Sequence, residues 1–276
     1  MARFVVKFGG SSVADAQKLY LAARRLATLH REGNEVVGVL SAQGNTTDSL
    51  LAKAKEIDPD CSGRELDMLL HTGELCSVSL CAMALKRLGM EAISLSGWQA
   101  GLLTDGNFGS AHVFGLQNER ITHELSKGKI VLVAGFQGID AYENVTTLGR
   151  GGSDTTAVAL AAFLHADRCL ICTDVDGVYD KDPRKFPDAK KFDQISYNEM
   201  LTLARSGAKV LHDRCVELGK KYQVPIEVCS TFQDLPGTLV RERQHPAAPF
   251  GTTGCERLSD IIVIFCAVFI KECSKF

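Results

Sequence analysis

The sequence has no excess of charge of either sign, no apolar run long enough to cross a bilayer, and no internal repeat or low-complexity segment. Lys and Arg number 31 against 33 Asp and Glu, a net charge of −2. Binding to nucleic acid or to an anionic membrane surface needs a basic excess, so neither is an expected partner. The apolar run Ile261–Ile270 has ten residues, too few for a bilayer-spanning helix. Met1–Gly10 lacks a charged segment followed by a long apolar core, so no signal peptide is expected. The composition, 45% apolar and 23% charged, excludes collagen-like, coiled-coil and disordered classes and fits a globular chain with a sizeable core.

Cysteine is present, at ten positions scattered through the chain and mostly in apolar surroundings. That pattern indicates reduced thiols acting as small apolar side chains in a cytoplasmic protein, with no disulfide framework. Cys169 and Cys172 have the spacing of a redox or zinc pair, but no second Cys/His pair follows, and Arg168–Thr173 reads as a buried strand. No metal ligand set is assigned.

Short apolar runs at Phe4–Phe8, Glu35–Leu40, Lys129–Gly135, Cys169–Thr173 and Pro225–Cys229 predict buried strands. The stretches Asp15–His30, Asp154–His165, Tyr197–Arg205 and Ala208–Tyr222 predict helices, as does Gly63–Leu88 with an interruption at Gly73-Glu74. Non-alternating strands separated by helices predict a three-layer αβα sandwich around a mainly parallel central sheet. In such sheets ligands lie beyond the carboxyl ends of the strands, where the chemically interesting residues fall.

Three segments there carry chemistry. Lys7-Phe8-Gly9-Gly10-Ser11-Ser12-Val13 joins a strand to a helix. Its paired glycines let main-chain N–H groups approach a phosphate, and Lys7 is placed for phosphate oxygens. It is neither a Walker A loop nor a Gly-x-Gly-x-x-Gly, and an ordinary strand–helix turn remains an alternative for it in isolation. Gly149-Arg150-Gly151-Gly152-Ser153-Asp154-Thr155 forms a second anion-binding turn before a helix. Arg150 offers a planar fork for a carboxylate. Asp154 serves as a helix N-cap, as a partner that orients Lys7, or as both. The third segment is Thr173-Asp174-Val175-Asp176-Gly177-Val178-Tyr179, followed by Asp182-Pro183-Arg184. Its acidic turn is either structural or one wall of a nucleotide cleft, with Tyr179 against a base and Arg184 against a phosphate. Three anion-binding elements on one sheet edge imply a reaction that joins two anions, which requires concentrated positive charge from Lys7, Arg150, Arg184 and Lys209. Phosphoryl transfer with Mg2+ on the phosphates fits that pattern.

In these residues the chain resembles the amino acid kinase family and, within it, the aspartate kinases. Ser41-Ala42, Thr47, Gly73-Glu74, Gly135-Phe136-Gln137-Gly138 and Gly207–His212 join the three segments in the family's order, and the resemblance covers about residues 2–240. It implies transfer of the γ-phosphoryl group of ATP to the β-carboxylate of L-aspartate, the committed step toward lysine, methionine and threonine and, in many bacteria, diaminopimelate. By the same resemblance Lys7 and Asp154 are catalytic, Lys7 holding phosphate together with Phe8, Gly9 and Gly10. Arg150, with Gly151, Gly152 and Ser153, takes the substrate α-carboxylate. Glu74 takes its ammonium, the alternative being a solvated helix residue, and Ser41 and Thr47 position it. Thr173, Asp174, Tyr179, Arg184 and Lys209 line the nucleotide site.

Ser11 stands where the family more often has Thr, and Gln43-Gly44-Asn45 departs from its commoner form. Aspartate kinases usually continue into paired ACT modules, for which residues 241–276 are too few. The expectation is a catalytic domain, 1–240, with a divergent tail, 241–276, and no feedback inhibition by lysine or threonine through its own chain. A homo-oligomer is left open. Another amino acid kinase, or a non-catalytic nucleotide-binding protein on the same fold, is the alternative.

Overall fold

Alternation along the strands builds two apolar cores on opposite faces of one sheet. In β1 (Arg3–Phe8), Phe4, Val6 and Phe8 point to one side and Val5 to the other. In β6 (Ile130–Ala134), Ile130, Leu132 and Ala134 join the first side, while Val131 and Val133 join the second. Strands covered on both faces carry uninterrupted apolar runs for this reason. The computed structural model describes residues 1–206, 210–233 and 235–242. Lys209 and the apolar run 261–270 lie outside them.

The other elements are α1 (Ala16–Arg31), β2 (Glu35–Leu40), α2 (Thr46–Ile57), α3 (Arg64–Leu70), α4 (Thr72–Arg87), β3 (Ala92–Leu95), β4 (Leu102–Thr104), β5 (Val113–Leu116) and α5 (Glu119–Ser126). After β6 come β7 (Gln137–Ile139), β8 (Val145–Thr147), α6 (Gly152–Phe163), β9 (Arg168–Thr173), β10 (Gln194–Ile195), α7 (Tyr197–Arg205), α8 (Asp213–Tyr222), β11 (Ile226–Ser230) and β12 (Thr238–Val240). The large sheet has eight strands in the order β10-β12-β11-β9-β1-β2-β6-β3, all parallel except the β11–β12 pair. Helices α1 and α4 cover the Phe8 face, and α5, α6, α7 and α8 cover the Val5 face. The three-layer αβα sandwich is thus the observed architecture.

Helix α1 begins at Asp15, whose side chain accepts the Lys18 N–H, and it buries Leu19, Ala22, Ala23, Leu26 and Ala27 as one stripe. Helix α7 starts with a capping box formed by Ser196 and Glu199. Cys169 and Cys172 are fully buried in β9. By length and composition Arg64–Arg87 could cross a membrane, but it breaks at His71, and Val78, Cys81 and Leu85 belong to the core.

Two sequence expectations need correction, and one part of the fold was not expected. The break in the 63–88 helix falls at His71, not at Gly73-Glu74. Gly73 lies inside α4, where a Cβ would come 2.9 Å from that of Ala42, so close approach rather than helix termination explains it. Of the helix expected over 208–222, Ala208 and Lys209 lie outside the described residues, residues 210–212 are not helical, and α8 starts at Asp213. A second sheet, β5-β4-β7-β8, was not anticipated. Strands of three or four residues show too little alternation to be legible.

Candidate active site

The carboxyl ends of β1 and β2 open into a cavity of about 610 Å3. Lys7 lines it from β1 and Gly10 from the turn that follows, and Ser41, Ala42 and Gly44 line it after the end of β2. Thr47 comes from α2, Asp67 and Leu70 from α3, and Glu74 from α4. Gly109, Phe136, Thr147 and the run Gly149–Asp154 complete the wall. Ser41, Thr47, Glu74, Arg150, Gly151, Gly152 and Ser153 therefore share one cavity with Lys7 and Asp154.

Strand parity puts Lys7 on the Val5 face, below α6, where Asp154 occupies the first turn. Lys7 Nζ stands 2.6 Å from Asp154 Oδ1, with the side chains only 11% and 13% exposed. The contact is a largely buried ion pair, and it fixes the direction of a flexible four-carbon stem. Gly10 turns the chain beside this pair. A Cβ there would lie 2.7 Å from the Ala42 carbonyl oxygen, which keeps the position glycine.

Glu74 is 3% exposed, which rules out a solvated helix residue. Its Oε1 accepts the Ala42 N–H at 3.0 Å, and its Oε2 is buried with no partner among the described residues. Burial pushes the carboxyl up from 4.5 to about 7, the Ala42 bond working the other way. A buried acceptor without a donor costs about 1–3 kcal/mol, a cost that a cationic ligand group would remove.

Gly151, not Ser153 or Asp154, occupies the N-cap of α6, and this corrects the capping role expected for Asp154. Gly151 has φ 68°, and a Cβ there would fall 2.3 Å from His212 Cβ. The helix thus starts two residues earlier than expected, which leaves the Asp154 carboxylate to Lys7. Arg150 is exposed and has no hydrogen bond or ion pair with any described residue. Phe136 lines the cavity in the left-handed region at φ 70°. It is held there by Thr156 Oγ1, which accepts its N–H at 3.1 Å, and by its carbonyl, which accepts the Leu148 N–H at 2.8 Å.

The expected nucleotide residues are not all gathered here. The Phe8 ring is fully buried in the core on the face opposite Lys7, so only its main chain is left for a ligand, a correction that follows from strand parity. A Cβ on Gly9 would stand 3.4 Å from Lys7 Nζ. Thr173 and Asp174 follow Cys172, the register partner of Phe8, and so occupy the same sheet edge, outside the cavity wall. Thr173 Oγ1 donates to Asp174 Oδ1 at 3.0 Å. The Tyr179 hydroxyl donates to Asp176 at 2.8 Å, which raises its pKa. Arg184 is exposed and turned toward Asp182 at 3.3 Å. The cavity also does not concentrate positive charge as expected. Among the described residues that line it, Lys7 and Arg150 are accompanied by Asp67, Glu74 and Asp154.

Sequence reasoning missed Asp67, which is 1% exposed and accepts from Thr147 and Gly109. A signal was present. Asp67, Leu70 and Glu74 recur at three- and four-residue spacing, placing two acids on a stripe that should be apolar. Phe136 carried no such signal, because left-handed backbone at a non-glycine residue is imposed by its neighbours.

Residues 2–230 match the amino acid kinase family. The aspartokinase of Bacillus sp. (strain MGA3) is 51% identical over 242 residues, covering 88% of this chain and 59% of that protein. The chain therefore spans about three-fifths of the length of that relative. The aspartate kinase from Synechocystis has a similar structure, with a TM-score of 0.77, 46% identity, and coverage of 87% of this chain and 40% of that one. Aspartokinase III of E. coli, in complex with aspartate and ADP, superposes with a TM-score of 0.79 at 29% identity, over 88% of this chain and 65% of that one.

Proposed function

The chain belongs to the amino acid kinase family, and from that premise we propose that it transfers the γ-phosphoryl group of ATP to the β-carboxylate of L-aspartate, giving 4-phospho-L-aspartate. The observation that carries this reading is Glu74, a buried carboxylate with one oxygen bonded to Ala42 and the other unpartnered, in a cavity that also holds Lys7 and Arg150. An amino acid brings the cation that Glu74 lacks and the carboxylate that suits Arg150. Relatives about 50% identical are named aspartokinase, which supports aspartate as that amino acid.

In this reading Glu74 Oε2 accepts the substrate ammonium and Arg150 grips its α-carboxylate, with Ser41, Thr47 and Ser153 around the substrate. Lys7, aimed by Asp154, neutralises charge on the transferred phosphoryl oxygens. Positioning and charge account for most catalysis of this kind, since the phosphoryl group needs little covalent help. Gly9, Gly10 and the Phe8 main chain approach the phosphates, and Thr173, Asp174, Tyr179, Arg184 and Lys209 take the rest of the nucleotide. Among the described residues no three His, Cys, Asp or Glu side chains cluster as a metal site. Mg2+ would arrive with ATP, since this ion keeps its waters and is held largely through the phosphates. When bound it would neutralise phosphate charge. The product would enter lysine, methionine, threonine and diaminopimelate synthesis in the cytoplasm, a compartment in keeping with the free cysteines. The catalytic residues lie within 1–240.

The test is trapping of the acyl phosphate by hydroxylamine as aspartyl hydroxamate, with ATP, Mg2+ and L-aspartate. L-glutamate, read in the same way, and UMP, read by ADP release, serve as alternative acceptors. Aspartate-dependent product is the expected result. ATP binding without turnover of any acceptor would overturn the reading in favour of a non-catalytic nucleotide-binding protein.

A further inference from the structure

Asp67 and Arg214 have no role in the mechanism above, yet both grip the segment that leads to Arg150 and the 109–111 segment beside it. Asp67 Oδ2 accepts the N–H of Thr147 at 2.7 Å and of Gly109 at 2.9 Å, and its Oδ1 accepts the Thr147 hydroxyl at 2.8 Å. Arg214, from α8, donates to the carbonyls of Leu148 at 2.7 Å, Ala111 at 2.8 Å and Ser110 at 3.4 Å. The Ala111 N–H closes the arrangement on the Thr147 carbonyl at 2.9 Å. A carboxylate thus takes the N–H groups of both segments and a guanidinium takes their carbonyls. Such charge-assisted bonds are roughly twice as strong as neutral ones.

The chain leaves this clamp at Gly149, whose φ is 72°. A Cβ there would lie 3.0 Å from the Gly109 carbonyl oxygen and 3.8 Å from Arg214 Nη1. The next residue is Arg150, exposed and without a partner among the described residues. Nothing on the Arg150 side chain fixes where it stands, so its main chain must. We infer that Asp67 and Arg214 are positioning residues that hold the Arg150 loop where its guanidinium meets the carboxylate of the amino-acid substrate. This rests on the function proposed above.

The test is steady-state kinetics of the full chain for wild type, D67N, R214M, R214K, R150A and the D67N/R150A double variant, each with its melting temperature. D67N and R214M are expected to raise KM for aspartate about tenfold while KM for ATP stays within about twofold. R214K, which keeps the charge but loses the fork, should fall between R214M and wild type. The double variant should be no worse than R150A, because residues acting through one another are not additive. Additive losses, or equal rises in both KM values, would overturn the inference. If D67N does not fold, the two Arg214 variants make the same test from the other side of the clamp. A wild type without aspartate-dependent product would overturn the functional reading and this inference with it. An active wild type, an impaired R150A, and D67N or R214M at wild-type KM would overturn the inference alone.

Discussion

Acidification from pH 8 to pH 6 should weaken aspartate binding through Glu74. The group is 3% exposed, and burial holds its carboxyl at about 7. Only the ionised form can pair with an ammonium group, so apparent KM scales as one plus the ratio of protonated to ionised Glu74. That factor is about 11 at pH 6, about 2 at pH 7 and about 1.1 at pH 8, a tenfold span. The amine and carboxyl groups of free aspartate titrate outside this window. Lys7, Arg150, Asp67 and Asp154 line the same cavity, and Glu74→Gln separates their contribution from that of Glu74. In that variant KM for aspartate should be high and flat across the range, with KM for ATP little changed. Stability supplies a second readout. The folded state binds this proton more tightly than the unfolded chain, so the contribution is full below 4.5 and lost as pH rises through about 7. The whole interval corresponds to about 3 kcal/mol. Aspartate restores a partner above that pH, so its effect on melting temperature should grow from pH 6 to pH 8. Equal KM at pH 6 and pH 8, or the same slope in Glu74→Gln, would refute the reasoning.

Lys7→Ala should lower kcat by at least about 100-fold, the usual cost of losing one preorganised charge partner, with the melting temperature showing a folded chain. Near-normal kcat would remove Lys7 from the mechanism. Gly151→Ala should destabilise by more than about 1 kcal/mol, because it forces an alanine to positive φ against His212, and calorimetry would show a lower Tm. Leu132→Ala, in a fully buried position of β6, should cost about 2–5 kcal/mol. For a chain of this size that lowers Tm by about 2–4 °C per kcal/mol, and denaturant melting with an unchanged slope would check that the loss is local.

Most of the large sheet could be read before any coordinates, because each of its long strands is covered on both faces and so declares itself as an apolar run. The expected boundaries of β2 and α7 coincide with those observed. The αβα layering follows from the same runs alternating with amphipathic helices. The two glycine turns before helices were legible as well, since a glycine pair between a strand and a helix has few other uses. The small sheet was not, because β4, β7 and β8 have three residues each and depend on partners distant in sequence.

Which residues meet was a matter for tertiary structure. The sequence by itself determined the fold class, the sheet edge where the candidate site falls, and Lys7, Arg150 and Asp154 as residues of interest, because residue type and strand or helix position are local properties, whereas Glu74 was singled out only by the family resemblance. It did not determine that Lys7 closes on Asp154 at 2.6 Å, that Phe8 turns its ring into the opposite core, or that Glu74 keeps an orphaned oxygen. It also did not show that Asp67 anchors the strand leading to Arg150. Each of these depends on segments tens to more than a hundred positions apart, brought together when the two apolar faces of the sheet are buried. Burial and charge pairing are properties of that packed arrangement, and they exist only once it has formed.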